Sequence, residues 1–102
     1  MSDPYDFKKV EQEKRDNELK LLLQQQQEHR DLQWLMSSEE GRRIVWRLLS
    51  TAGVFQTTFN VDAIQMAFNE GFRHYGTTML AEILTTHSDL YQVMVKEQDD
   101  GK

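Results

Sequence analysis

The chain has 102 residues, of which 38% are hydrophobic and 28% are charged, and its formal net charge is -5 at pH 7. A domain of this length buries only about 60 to 70% of the surface of its unfolded chain, so we expect a modest core joined to a solvated segment. The acidic balance argues against a surface built as a whole to hold nucleic acid, and the lack of cysteine excludes disulfides and thiolate metal sites.

The sequence contains no segment typical of membrane insertion or export. No apolar run approaches the roughly 18 residues that a transmembrane helix needs. The first residues also lack the apolar stretch of a secretory signal. We therefore expect a soluble protein with no membrane span.

The first 36 residues predict one long, solvated helix. Asp3 and Pro4 form a helix start, with Asp3 as the N-cap and Pro4 at the first helical position. The residues that follow are strong helix formers, mainly Glu, Gln, Lys, Arg and Leu. Their few apolar members are not sustained over the heptads that a coiled coil needs. The pattern predicts an exposed helical arm.

A second helix is predicted to begin at Ser37 or Ser38. Ser37 and Glu40 have the spacing of a capping box, in which each side chain bonds a free backbone amide of the helix start. Gly53 is the expected left-handed stop. The apolar residues between, at helical spacing, form the predicted buried stripe: Ile44, Val45, Leu48, Leu49 and Ala52.

A third helix is predicted after Asn60 and should be the central helix of the core, because its apolar residues recur every three or four positions. Gly71 and Gly76 interrupt it, and the close approach of another backbone, or a kink at Gly76, would account for them. Ser88 can cap a short last helix. The apolar stripe of the third helix consists of Val61, Ile64, Phe68, Phe72, Tyr75, Met79 and Ile83.

These elements predict an all-α fold in which a small core of three helices follows a long N-terminal helical arm. The predicted domains are the arm at 1–36, a compact helical domain at 37–98 and a disordered tail at 99–102. An arm of about 30 residues extends roughly 45 Å, longer than such a core, so we expect it to meet a partner.

A family resemblance covers about two thirds of the chain, from Asp31 to Glu97. It rests on the segments DLQWLMSSEEGRRIVWRLLSTAGVFQTTF, AFNEGFRHYGTTMLAEI and DLYQVMVKE. Together these segments resemble a family of small proteins encoded by tailed bacteriophages, typified by a short protein of a Bordetella phage. The most specific parts are the WLM, GRR and VWRLL motifs with their AGVF ending, and an EGxRxxG block. That block consists of Glu70, Gly71, Arg73 and Gly76.

The resemblance implies a role in virions or in their assembly rather than an enzymatic activity. Members of the family are known mostly as small helical proteins encoded among head and tail assembly genes. Such a protein is expected in the virion and, before assembly, in the host cytoplasm. Family members tend to carry a second arginine where this chain has Phe72, so a doubly basic patch is not implied there.

The candidate partner-binding residues combine arginine, tryptophan and one glutamate. Arg42 can stack on Trp46 one turn later, and the neighbouring arginines could contact phosphate or an acidic surface of a partner. A solvated face on which Arg43 pairs with nearby glutamates is an equal alternative. The predicted set is Trp34, Arg42, Arg43, Trp46, Arg47, Glu70 and Arg73.

Glu70 and Arg73 also leave two interpretations open, an intramolecular polar network or a contact with a partner. The remaining aromatic residues are expected in the core or in docking of the arm, rather than in a platform for stacked bases. They are Phe55, Phe59 and Tyr91, together with the two tryptophans.

The sequence predicts neither a metal site nor a cofactor nor an enzyme. His29, His74 and His87 have no spacing typical of metal ligands. The run from Thr86 to Asp89 contains the residue types of a catalytic triad, but it straddles a helix boundary, where such residues cap helices. No glycine-rich phosphate loop is present. We expect no small-molecule substrate.

The favoured hypothesis is a non-enzymatic structural or assembly protein of a tailed phage, acting through helix-mediated contacts with copies of itself or with another virion protein. Its station could be the head, the connector or an internal component that is ejected. One alternative is a small regulatory or host-interaction protein made during infection. Another is a DNA-associated protein inside the head, whose binding would fall steeply with salt.

Overall fold

A computed structural model describes the backbone of residues 4–101 and the side chains of residues 6–101. The described residues form four α-helices and no strand, which confirms the all-helical prediction. The prediction of three helices and an arm refers to the same four elements, because the arm is itself a helix. The predicted N-cap Asp3 lies outside the described residues. The helices are α1 (Pro4–Met36), α2 (Glu39–Thr51), α3 (Ala63–Thr86) and α4 (Ser88–Asp100).

The chain divides into two compact units, residues 1–31 and 32–102. In the first unit every described side chain is exposed, including Phe7 and Val10. Hydrogen bonds between residues four apart, such as Gln24 to Glu28, run along its surface. Because nothing apolar is buried there, helix propensity accounts for the helix in this unit. The three predicted domains stay a prediction.

The second unit contains a small core to which all four helices contribute. Residues Leu32–Met36 of α1 belong to this unit, and Met36 is fully buried in it. Helices α2, α3 and α4 pack against one another in pairs. The buried hydrophobic residues of this core are Met36, Val45, Leu49, Ala52, Val54, Ile83 and Met94.

The corner between α1 and α2 is built by two serines and a glycine. Ser38 is the N-cap of α2, and its Oγ accepts a hydrogen bond from the Gly41 amide at 2.9 Å. Ser37 Oγ instead donates to the Gln33 carbonyl of α1. The predicted capping box of Ser37 and Glu40 was therefore wrong. The cap is Ser38, and Gly41, three residues later, has no side chain that could bond back to it.

Gly41 is required by the same corner. A Cβ atom built on Gly41 would lie 1.7 Å from the carbonyl oxygen of Leu35. The first turn of α2 therefore crosses the last turn of α1 closely enough that a side chain does not fit. Gly41 is buried at this crossing.

The other helix ends follow local signals closely. Gly53 has a φ of 78°, which confirms it as the left-handed stop after α2. Asp62 is the N-cap of α3, and its Oδ1 accepts from the amides of Ile64 and Gln65 at 2.9 and 3.2 Å. Ser88 was wrongly predicted as the cap of the last helix. It is the first residue of α4, and His87 precedes it without a side-chain capping bond.

Gly76 allows α3 to approach the end of α2. A Cβ atom at Gly76 would lie 2.6 Å from Val54 Cγ2 and 2.7 Å from Ala52 Cβ. The prediction of a close approach is correct in kind, although side-chain atoms and not backbone make the contact. At Gly71 a Cβ atom would meet nothing within 4 Å. The two glycines of α3 therefore have different surroundings.

Candidate protein-interaction surface

The apolar stripe of α3 is only half buried. Ile83 is fully buried and Met79 packs against the core, as predicted for the central helix. The earlier part of the stripe is exposed, which corrects the prediction that the whole stripe is core. Val61, predicted in the helix, lies in the loop before α3. The exposed fractions are 96% for Val61, 85% for Ile64, 68% for Phe68, 50% for Phe72 and 78% for Tyr75.

This exposed part continues onto α2 through Leu48, which is 50% exposed although it was predicted in the buried stripe. We call Leu48, Val61, Ile64, Phe68, Phe72 and Tyr75 the apolar face. Within it the rings of Phe68 and Phe72 stack, with centroids 6.4 Å apart.

A groove of about 610 Å³ runs along the apolar face between α2 and α3. Gly71 lies in its wall and leaves it open, because no atom comes within 4 Å of the position of its missing side chain. A second cavity, of about 370 Å³, lies beside it between α3 and the loop after α2. The groove is lined by Leu48, Ala52, Ala67, Phe68, Gly71, Phe72, Tyr75 and Met79.

The apolar face stands in a part of the chain that is nearly free of charge. Between positions 48 and 69 the only charged residue is Asp62, which caps α3. An exposed surface that is rich in aromatic residues and poor in charge has the composition of the centre of a protein interface. This depletion of charge is visible in the sequence, and it is the signal that could have identified the surface.

Glu70 and Arg73 form an intramolecular polar network beside this face. Glu70 accepts a hydrogen bond from Thr58 Oγ1, and its other oxygen lies 3.9 Å from an Arg73 guanidinium nitrogen. Arg73 Nε is buried without a hydrogen-bond partner. These contacts tie the loop before α3 to the helix, which matches the intramolecular interpretation of the two residues. Neither residue lines the groove.

Arg42 is engaged within the chain. Its side chain is only 14% exposed, pairs through Nε with Glu97 of α4, and donates from a terminal nitrogen to the Met36 carbonyl at 2.9 Å. It therefore joins the end of α1 to α2 and α4. The predicted stack of Arg42 on Trp46 is not formed. Trp46 stacks instead on Phe55, with centroids 4.8 Å apart.

The other candidates lie apart from the apolar face. Arg43 pairs with Glu39 at 3.1 Å and with Glu40 at 3.9 Å, as the solvated alternative predicts. Arg47 is exposed on α2. Trp34 is 78% exposed on the last turns of α1. The structure therefore does not gather the predicted residues into one site.

The aromatic residues predicted in the core or in arm docking are placed differently from one another. Tyr91 and Trp46 pack against the core of the second unit. Phe55 is partly exposed and covers one side of Trp46. Phe59 is 75% exposed and lies in the loop before α3. Spacing alone could not separate these cases, because all five aromatics lie in or near helical segments.

Among the described residues, no three side chains of histidine, aspartate or glutamate are grouped as metal ligands would be. No described helix combines the length and the apolar character that crossing a membrane requires.

Comparison with known proteins finds one family. The model of the Bbp19-like phage protein family matches residues 32–96. Neither the curated proteins nor the solved structures contain a significant match. The matched segment coincides with nearly all of the second unit, including the corner at Gly41, the apolar face and α4 up to Lys96. Because the match covers more than half of the 102 residues, the chain belongs to the family of Bbp19-like phage proteins.

Proposed function

We propose that the protein is a non-enzymatic structural or assembly protein of a tailed phage, which acts through helix-mediated protein contacts. The observation that supports this proposal is the apolar face on α2 and α3, exposed over side chains that a single chain would ordinarily bury. A surface of that composition fits binding of another protein better than binding of a small polar molecule.

The contacts of the polar side chains support the same proposal. The charged residues nearest the apolar face are engaged in structural contacts, since Asp62 caps α3 and Glu70 pairs with Arg73. Arg42, one of the three arginines predicted to contact phosphate or an acidic partner, pairs with Glu97. These contacts give the charged side chains near the face roles in holding the fold, and this is what supports the non-enzymatic part of the proposal.

The proposed partners are copies of the chain or another virion protein, and the proposed location is the virion and its assembly intermediates. Mass spectrometry of purified virions and of capsid and tail intermediates, separated on gradients, tests this. We expect the protein at a fixed ratio to a known virion protein in at least one fraction. Absence from every fraction, in an infection that produces the protein, would contradict the proposal.

A matched phage variant sharpens the test. In one phage the gene carries Phe68→Lys, which places a charge in the apolar face. In a control phage it carries Ala81→Lys, at an exposed position of α3 outside that face. We expect the first variant to lower the yield of complete particles and the control to leave it unchanged. An equal yield from both would show that the apolar face has no role in assembly.

A further inference from the structure

The apolar face has the area of one side of a protein interface. Its six large side chains are between 50% and 96% exposed. At about 200 Å² for a fully exposed large side chain, they present on the order of 800 Å² together. Monomeric proteins rarely leave contiguous apolar patches larger than a few hundred Å². A standard interface, by contrast, buries about 800 Å² on each partner.

The middle of the face is open to the backbone of another helix. Gly71 has nothing within 4 Å of its missing side chain, and Ala67 lies one turn before it on the same groove wall. Aromatic side chains stand on either side of this gap, Phe68 before Gly71 and Tyr75 after it. An elongated groove with a small residue at its centre and rings at both ends fits a helix better than a globular surface.

The face is also complementary to a second copy of itself. In an antiparallel pair of α3 helices related by a two-fold axis, residues at equal distances from the crossing point lie opposite each other. If the crossing point lies between Gly71 and Phe72, Phe68 lies opposite Tyr75 of the other copy. Gly71 then lies opposite Phe72 of the other copy, and the space left by its missing side chain lets the backbones approach.

Electrostatics favour the same occupant. The net charge of the chain is -5, so two copies would repel each other if their acidic residues met. The apolar face contains no charged residue, and Glu70 and Arg73 beside it, about 200° and 140° around α3 from Phe68, pair with each other. Two copies can therefore meet here without opposing like charges. A strongly charged partner would find no complementary charge on this face.

We propose that the apolar face is the interface of a two-fold symmetric homodimer, in which the α3 helices of two copies pack antiparallel at Gly71. This inference rests on the proposed function, because it names a second copy of the chain as the first partner of the assembly protein. In the dimer Phe68 and Tyr75 are the buried anchors. Leu48 of each α2 borders the α3 helix of the other copy.

The full-length chain tests the proposal by sedimentation equilibrium and light scattering across a range of concentrations. Four proteins are compared: the wild type, Phe68→Lys, Tyr75→Lys and the control Ala81→Lys, which adds the same charge to an exposed position outside the face. We expect a dimer for the wild type and for the control. Each lysine placed in the face appears twice in the dimer. We therefore expect the dissociation constant of the dimer to rise on the order of 100-fold or more in Phe68→Lys and in Tyr75→Lys.

Gly71→Lys separates loss of the interface from loss of the fold. A Cβ atom at this position meets nothing within 4 Å in the single chain, and lysine is a better helix former than glycine, so the helix content of the variant should equal or exceed that of the wild type. We expect a helical monomer. If Phe68→Lys or Tyr75→Lys unfolds, the Gly71→Lys result decides the question.

Two results would overturn the homodimer. One is a wild-type chain that remains monomeric up to about 100 μM, well above the dissociation constants of stable dimers. The other is an oligomer that survives all three lysine substitutions in the face, which would assign the interface to another surface. Neither result bears on the presence of the protein in virions, so the proposed function stands or falls separately.

Discussion

Replacing Gly41 by alanine tests the corner that joins α1 to α2. The new Cβ atom would lie 1.7 Å from the Leu35 carbonyl oxygen, far inside contact distance, and 3.0 Å from Ser38 Oγ. The obstacle is backbone, so a rotamer change cannot relieve it. The two helices must move apart, which opens the packing around Met36, a fully buried core residue.

The expected magnitude combines three effects. Overpacking at such a site lowers the free energy of unfolding by about 1 to 3 kcal/mol. The upper end applies here, because the new Cβ atom clashes with a backbone oxygen. Displacing the Gly41 amide from Ser38 Oγ weakens a cap worth about 0.5 to 2 kcal/mol. Alanine returns about 1 kcal/mol through its higher helix propensity. We expect a net loss of about 2 to 3 kcal/mol.

Thermal unfolding followed by circular dichroism measures this loss. For a unit of this size a change of 1 kcal/mol shifts Tm by about 4 to 8 °C, so Tm should fall by about 10 to 20 °C. Gly71→Ala is the matched control, because its Cβ atom meets nothing within 4 Å and should raise Tm by a few degrees. Both variants are compared with the wild type at a protein concentration at which all three have the same oligomeric state. A Gly41→Ala protein that melts at or above the wild-type temperature would refute the close crossing.

Three further sets of substitutions test other contacts by equilibrium unfolding in urea. Arg42→Ala and Glu97→Ala should each destabilise the chain by about 1 to 3 kcal/mol, because each leaves a partly buried charge without its partner. The double variant should therefore lose less stability than the sum of the two single losses, whereas additive losses would show that the pair is not coupled. Ser38→Ala should lower the free energy of unfolding by about 0.5 to 2 kcal/mol and Ser37→Ala by less than about 0.5 kcal/mol, since only Ser38 caps α2. Equal losses would contradict the assigned cap. Gly76→Ala should lower the free energy of unfolding by about 1 kcal/mol net, because overpacking against two buried side chains exceeds the gain in helix propensity. A gain in stability would show that α2 and α3 do not approach closely there.

Local signals predicted some of the helix ends. Gly53 acts on the backbone next to it, so its role as the stop of α2 followed from the sequence alone. The cap of α3, Asp62, was not predicted as a cap. The choice between Ser37 and Ser38 is different, because either serine could begin α2. It depends on where α1 ends, and the crossing at Gly41 settles that through contacts that spacing does not encode.

Arg42 illustrates what helical spacing cannot provide. Its neighbours at three and four positions are known from the sequence, and they suggested a stack on Trp46. The partner found in the structure is Glu97, which lies 55 positions away and reaches Arg42 only because α2 and α4 pack together. Arg42 therefore joins α1, α2 and α4 inside the chain, and its part in partner binding stays a prediction.

The exposed half of α3 has a cause in the lengths of the helices. At about 1.5 Å per residue, α3 extends roughly 36 Å, whereas α2 and α4 extend roughly 20 Å each. Its buried residues, Gly76 and Ile83, both lie in its second half, where α2 and α4 pack. Periodicity correctly predicted one continuous apolar stripe but could not say how much of it the chain itself would cover. The uncovered half begins at Ala63, and in an antiparallel pair centred between Gly71 and Phe72 its part from Phe68 to Tyr75 meets the same part of a second copy, which has the matching chemistry to cover it.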